Sequence, residues 1–193
     1  MLRELILSDF KRHNFRSISL RNLFAIFLIQ PIPGLKYMIL FRLTQHYRRK
    51  NRILFYFFFL WLRRLKVKYG LDISYRTKIG KGIYVGHFGG VVVHGDVEIG
   101  DYCNLSQGIT LGVSNYGEKS GTPIIGHHVF LGPGSCVFGN VTVGNHVTIG
   151  ANAVVTEDVS DNSTVLSPKS TTINKDLSAY FIHNLENEKI VCL

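Results

Sequence analysis

From residue 73 onward the apolar positions recur every six residues, a spacing that belongs to neither a helix nor an ordinary strand. Ile73, Ile79, Val85, Val91, Val97, Cys103 and Ile109 form one run, and Ile125, Leu131, Val137, Val143, Ile149 and Val155 form a second. Glycine follows at 80, 86, 126, 132, 144 and 150. The position four residues on is often small or β-branched, as at Thr77, Val129, Ser135, Val141, Val147 and Ala153. A helix repeats at about 3.6 residues and an amphipathic strand at about 2, whereas three hexads make one triangular coil whose aliphatic side chains point inward. A β-sandwich would instead need turn signals at roughly every 8–12 residues. The pattern predicts a mainly β fold, a parallel β-helix of about four coils stacked at about 4.8 Å. The repeat breaks once, between Ile109 and Ile125, where GVSNYGEKSGTP is polar and turn-forming. Residues 113–124 are expected to leave the prism as a protruding loop, a usual place for binding residues on a rigid scaffold.

Residues 1–70 read differently. LFAIFLIQPIPGLKYMILFRL and RILFYFFFLWLRRL are apolar runs bracketed by Arg and Lys, with a turn at Pro31-Ile32-Pro33-Gly34, and predict two to four helices. Phe55 to Phe59 and Trp61 are dense enough to cover most of a helix circumference. Three regions follow: a basic, aromatic-rich helical region (1–70), the β-helix (71–167) and a C-terminal tail (168–193) with room for a short helix. Charge divides the chain in the same place. Residues 1–70 hold 15 Lys and Arg against Glu4 and Asp9, a net +13, while residues 71–193 carry −4.

Composition narrows the class of protein. With 193 residues, 46% apolar and 18% charged, the chain is globular rather than disordered. Its longest apolar run, Ile53 to Leu62, has ten residues, about half of what a membrane-spanning helix needs. The start, MLRELILSDFKRH, lacks the layout of a secretory signal, so cytoplasmic residence is expected. Cys103, Cys136 and Cys192 form no framework or C-x-x-C site. The basic charge is interleaved with bulky apolar residues and accompanies no nucleic-acid motif; contact with the inner face of a membrane fits it better.

The stretch from Gly70 to about Ser167, half of the chain, resembles the left-handed β-helix acyltransferases and, within them, the serine acetyltransferase branch. GLDISYRTKIGKGIYVGHFGG, NLSQGITLG, TPIIG and IGANAVV carry the resemblance. YMILFRLTQHY leading to KYGLDI looks like the N-terminal region of the polysaccharide O-acetyltransferases grouped with that branch. The resemblance implies a left-handed triangular prism, acetyl-CoA as co-substrate, and a homotrimer or a dimer of trimers.

Acetyl transfer from a thioester to an alcohol needs a base near the working pH, and histidine is the side chain poised there. His87 lies in VGHFGG beside inward-pointing Val85, so it is expected to point outward to substrate. Asp72 precedes it by 15 residues, which places the two on adjacent coils where the carboxylate could orient the imidazole. By resemblance the two match the family's catalytic dyad; the plain alternative is that His87 caps a tight turn. The resemblance lays the pantetheine arm between neighbouring prisms at Gly112, Pro133 and Ala151, with Gln107 and Thr110 as further contacts. VLSPKST stands where the family carries its nucleotide-side turn, leaving Lys169 or Lys175 as available cations.

No metal is expected. His94, His127, His128 and His146 lack the H-x4-H pair of the metal-binding relatives. The serine branch carries an aspartate where this chain has Gly86, and Arg-His where it has Gly121-Thr122. A desolvated amino acid needs opposite charges beside it and a sugar hydroxyl does not. A saccharide acceptor, free or lipid-linked, is therefore expected beside Phe88, His94, Tyr116 and Thr122. Serine O-acetylation and a non-catalytic β-helical scaffold are the alternatives.

Overall fold

The computed structural model describes residues 2–29 and 32–169. Four α-helices precede the prism: α1 (Leu2–Arg12), α2 (Leu20–Phe24), which runs into one π-helical turn at Ala25–Ile29, α3 (Pro33–Tyr47) and α4 (Arg52–Tyr69). Their ends follow local chemistry. The Ser19 hydroxyl accepts from Asn22 N–H at 3.1 Å to start α2, and the Asn51 side chain accepts from Leu54 N–H at 3.0 Å to start α4. Proline opens α3, and Gly70, with φ 61°, closes α4 in the left-handed region.

Fourteen short strands then wind into three parallel sheets. The first face holds β1 (Leu71–Ile73), β4 (Val91–Val93), β7 (Thr110–Gly112), β10 (Cys136–Phe138) and β13 (Val154–Val155). The second holds β2 (Lys78–Ile79), β5 (Glu98–Ile99), β8 (Ile124–Ile125) and β11 (Thr142–Val143). The third holds β3 (Tyr84–Val85), β6 (Asn104–Leu105), β9 (Phe130–Leu131), β12 (Thr148–Ile149) and β14 (Thr164–Val165). Five strands on two faces and four on the other make about five turns, not the four that the hexad count predicts.

Each face buries two rows of side chains. Ile73, Val93, Leu111, Val137 and Val155 stack in one row of the first face, and Leu71, Val91 and Ile109 lie in a second row two residues earlier. The second row explains a slip in the six-residue reading. Leu71 pairs with Val91 and Ile73 with Val93, so the first coil has 20 residues, two more than three hexads. Val91, Val97, Cys103 and Ile109 therefore belong to the second inward row, and the first row runs through Val93, Ile99, Leu105 and Leu111. Both rows are buried, so a shift of two residues leaves the apolar pattern intact. The glycines at 100 and 112, each directly after a true first-row residue, are the sequence signal that marks the shift.

The helical region caps the first coil. Gly34, at the start of α3, lies against β3 so closely that a Cβ there would stand 2.0 Å from Val85 O. Arg42 of α3 is 1% exposed and bonds Asp9 of α1 at 3.1 Å and Ile79 O at 2.7 Å, while Asp9 accepts from Ile83 N–H at 2.9 Å. The loop between β7 and β8 covers 113–123, one residue short of the expected boundary, and a Ser114–Gly121 bridge closes it. Of the C-terminal tail only the first residues are described; its expected helix lies outside the described residues. Among the described residues no helix is long and apolar enough to cross a membrane.

Candidate active site

The two extra residues of the first coil lie in the turn Gly86-His87-Phe88-Gly89-Gly90 between β3 and β4. This turn is tied to the end of α4. Gly89 N–H donates to Tyr69 O at 2.8 Å and Val91 N–H to Gly70 O at 3.1 Å. Gly89 and Gly90 have φ of 101° and 68°, conformations that L side chains rarely adopt. The result presents His87 to solvent, as the sequence predicts, over a hollow of about 310 Å³ shared with Tyr84, Asn104, Ser106, Gln107 and Pro133. An imidazole above hydroxyl and amide groups is suited to taking a proton from a bound alcohol.

Asp72 projects from β1 between buried Leu71 and Ile73. It lines a second hollow of about 440 Å³ with Ser74, Val92, His94 and Gly112. Its carboxylate pairs with Lys66 Nζ of α4 at 2.5 Å, and among the described residues neither a hydrogen bond nor an ion pair joins it to His87. What links the two is backbone: the Gly89–Tyr69 bond lies two residues from His87 and three from Asp72.

The remaining candidates divide by location. His87, Gln107 and Pro133 share the first hollow; Asp72, His94 and Gly112 share the second. His94 Nδ1 accepts from Asp96 N–H at 3.3 Å. Gly112 lies under Phe138, whose ring a Cβ would meet at 2.6 Å. Thr110 stands on β7 between Val92 and Cys136. Phe88, Tyr116, Thr122, Ala151 and Lys169 line neither hollow. Phe88 is exposed, its ring 6.3 Å from Tyr69; Tyr116 projects from the loop; and the Thr122 hydroxyl donates to Asp96 O at 3.1 Å. Ala151 and Lys169 are exposed, and Lys175 lies outside the described residues.

Several residues at the site carry no motif in the sequence. Arg12 bonds the Asn104 side chain and its guanidinium lies 5.7 Å from the Tyr84 ring centre, while the His13 ring packs 4.7 Å from the same ring. The end of α1 thus packs against two of the residues that line the His87 hollow. Tyr84 and Asn104 could have been read as outward residues from their position before inward Val85 and Leu105; contact with residues some 70–90 positions earlier leaves no such signal. Burial lowers the affinity of His13 for a proton, and it pushes the Cys103 thiol up to about 11, which keeps it protonated and inert. Among the described residues no group of three or more His, Cys, Asp or Glu converges as a metal site. His128 and His146 instead stack with ring centres 4.7 Å apart at a corner of the prism.

Known proteins match this architecture. The bacterial transferase hexapeptide family, described as six repeats, matches residues 122–157. A serine acetyltransferase of Helicobacter pylori is 37% identical over 157 residues, covering 81% of this chain and 89% of that protein. Serine acetyltransferase isoform 3 of Entamoeba histolytica, solved with cysteine, superposes with a TM-score of 0.67 at 27% identity over 93% of this chain. A serine acetyltransferase solved with CoA gives 0.66 at 27% identity over 84%. The chain spans 63% and 66% of the length of those two solved chains.

These names overturn the expectation of a saccharide acceptor drawn from Gly86, Gly121 and Thr122. The three uncharged positions omit charges found elsewhere near the site. Arg63, Lys66 and Asp72 line a cavity of about 210 Å³ at the junction of α4 and β1, an arrangement that the sequence alone does not bring together. The length and identity of the Helicobacter match, together with the prism and its helical cap, place this chain in the serine acetyltransferase family of hexapeptide-repeat transferases.

Proposed function

We propose that the protein is a serine O-acetyltransferase that uses acetyl-CoA as donor. The observation that carries this reading is the 37% identity to the Helicobacter pylori serine acetyltransferase across 81% of this chain and 89% of that protein. The site chemistry supports it. The His87 imidazole takes the proton of the serine hydroxyl as its oxygen attacks the thioester carbonyl; the C–S bond then breaks, and the leaving thiolate of CoA takes up a proton. Asp72 is the proposed partner of His87, released from Lys66 as substrate enters. Arg63 and Lys66 supply the positive charge that the carboxylate of a desolvated amino acid requires. Pro133 in the His87 hollow and Gly112 in the Asp72 hollow are the proposed positions along which the pantetheine arm lies.

Assembly as a trimer through the prism faces belongs to the same reading, since Val92 and Val154 stand exposed on one flat face. Contact of residues 1–70 with membrane is a separate matter that rests on the helices.

The test is release of CoA thiol from acetyl-CoA on addition of free L-serine. Serine-dependent release is expected, and His87→Ala should lower it by about 10²–10⁴-fold without moving the thermal midpoint, because His87 is exposed. Absence of serine-dependent release from folded protein would overturn the substrate. Near-wild-type turnover of His87→Ala would remove His87 from the mechanism.

A further inference from the structure

The α4 helix is apolar on both sides, and among the described residues only one side is packed along its length. Leu62 and Leu65 are buried, and Phe58 stacks on Tyr47 of α3 with ring centres 5.5 Å apart. The opposite side presents Ile53, Tyr56, Phe57, Leu60 and Trp61 at helical spacing, between 39% and 82% exposed. Leu20, Phe24, Leu28 and Ile29, from α2 and the π turn, are 58–87% exposed. The two patches meet where the Phe27 ring packs 5.4 Å from Trp61. Single exposed apolar residues need no explanation, but a continuous face of nine marks an interaction surface.

The charge around this face selects its occupant. Arg48, Arg49, Lys50 and Arg52 are exposed where α4 begins, and Arg63, Arg64 and Lys68 where it ends. The two acids among residues 1–70 do not offset them, since Asp9 is buried on Arg42 and Glu4 faces Lys81 at 3.8 Å. A second copy of the face would set these flanking arginines and lysines against their own copies, whereas anionic headgroups neutralise them. No described helix is suited to crossing a bilayer, so the face would lie on it.

We propose that the α2–α4 face is an interfacial docking surface for an anionic lipid bilayer, with the apolar side chains among the acyl chains and the flanking arginines and lysines at the headgroups. This holds whether or not serine is the acceptor, because it rests on no residue of the groove.

Trp61 is the only tryptophan in the chain and sits at the edge of the patch, so it reports directly on docking. Full-length protein is mixed with vesicles of phosphatidylcholine alone or with about 30% phosphatidylglycerol, at low and high salt. Binding to the anionic vesicles should shift Trp61 emission to the blue and expose it to quenching by brominated acyl chains. Phe57→Glu combined with Leu60→Glu should weaken partitioning by roughly tenfold or more, and high salt by a similar factor. Both side chains are more than half exposed, so an unchanged helix signal and thermal midpoint verify that the variant is folded. The proposal is overturned if anionic vesicles leave the emission unchanged, or if the folded double variant binds as the parent does. It also fails if the blue shift follows protein concentration without lipid and disappears in the variant, since the face then joins two copies.

Discussion

His13 has a chemistry that its sequence context does not suggest. Its ring is packed on Tyr84, its Nδ1 lies 3.0 Å from Asp9 O, and its buried Nε2 has no hydrogen-bond partner among the described residues. Burial lowers its proton affinity below the ordinary histidine value of 6.5. The unfolded chain therefore takes up a proton before the folded one does. Stability from the neutral ring is present above pH 6.5 and lost as the pH falls below it. Urea unfolding should show the midpoint falling between about pH 7.5 and pH 5.5 in the parent, and falling less in His13→Gln. Equal falls would show that His13 is not the group responsible. Asp9, whose carboxyl burial raises against the pull of Arg42, is common to both proteins.

At the scale of elements, one buried ion pair lies in the junction between helices and prism among the described residues. Arg42 and Asp9 are each about 1% exposed and join α1, α3 and the first coil through side chain and backbone together. Replacing Arg42 by Met roughly keeps the volume but leaves the Asp9 carboxylate with the Ile83 N–H and no counter-charge, and takes from Ile79 O its guanidinium donor, in a dry place. The expected loss is about 3–5 kcal/mol, measured by chemical denaturation. A loss below about 1 kcal/mol would show that water reaches the junction. Neither residue stands out in the sequence: Arg42 is one of 15 basic residues before Gly70, and its burial follows from α3 lying between α1 and the prism. The same packing decides that α4 has an inner and an outer side, though its apolar residues surround it.

For the molecule as a whole, the prism is a core closed along its length and open at its faces. Val92 and Val154 on one face, Ile124 on the second and Phe130 on the third are 40–63% exposed. Flat strands with exposed apolar side chains favour association with like faces. The proposed trimer predicts that the protein sediments at about three times its 21.8 kDa chain mass, and that Val92→Lys with Val154→Lys shifts it toward monomer. A monomeric parent would leave the site to be completed within one chain.

The six-residue rhythm alone determined the prism, its inward rows and the protruding loop, because a coil that returns to the same face must repeat the same side-chain direction. Runs of apolar residues bracketed by arginine did the same for the helices. The outward direction of His87 was legible from its place beside inward Val85, but the two extra residues of its turn were not, because Val85 to Val91 keeps the six-residue spacing. Register was not: two inward rows two residues apart accept a slip of two residues at no cost in hydrophobicity, and hydrogen bonding between coils chose between them. The surroundings of the site were also decided only in three dimensions. Lys66 on Asp72, and Arg12 and His13 behind Tyr84, come from helices whose sequence period says which side is apolar but not which coil that side meets. Which charges stand beside the prism depends on that docking, so three uncharged positions on the prism do not by themselves select an acceptor.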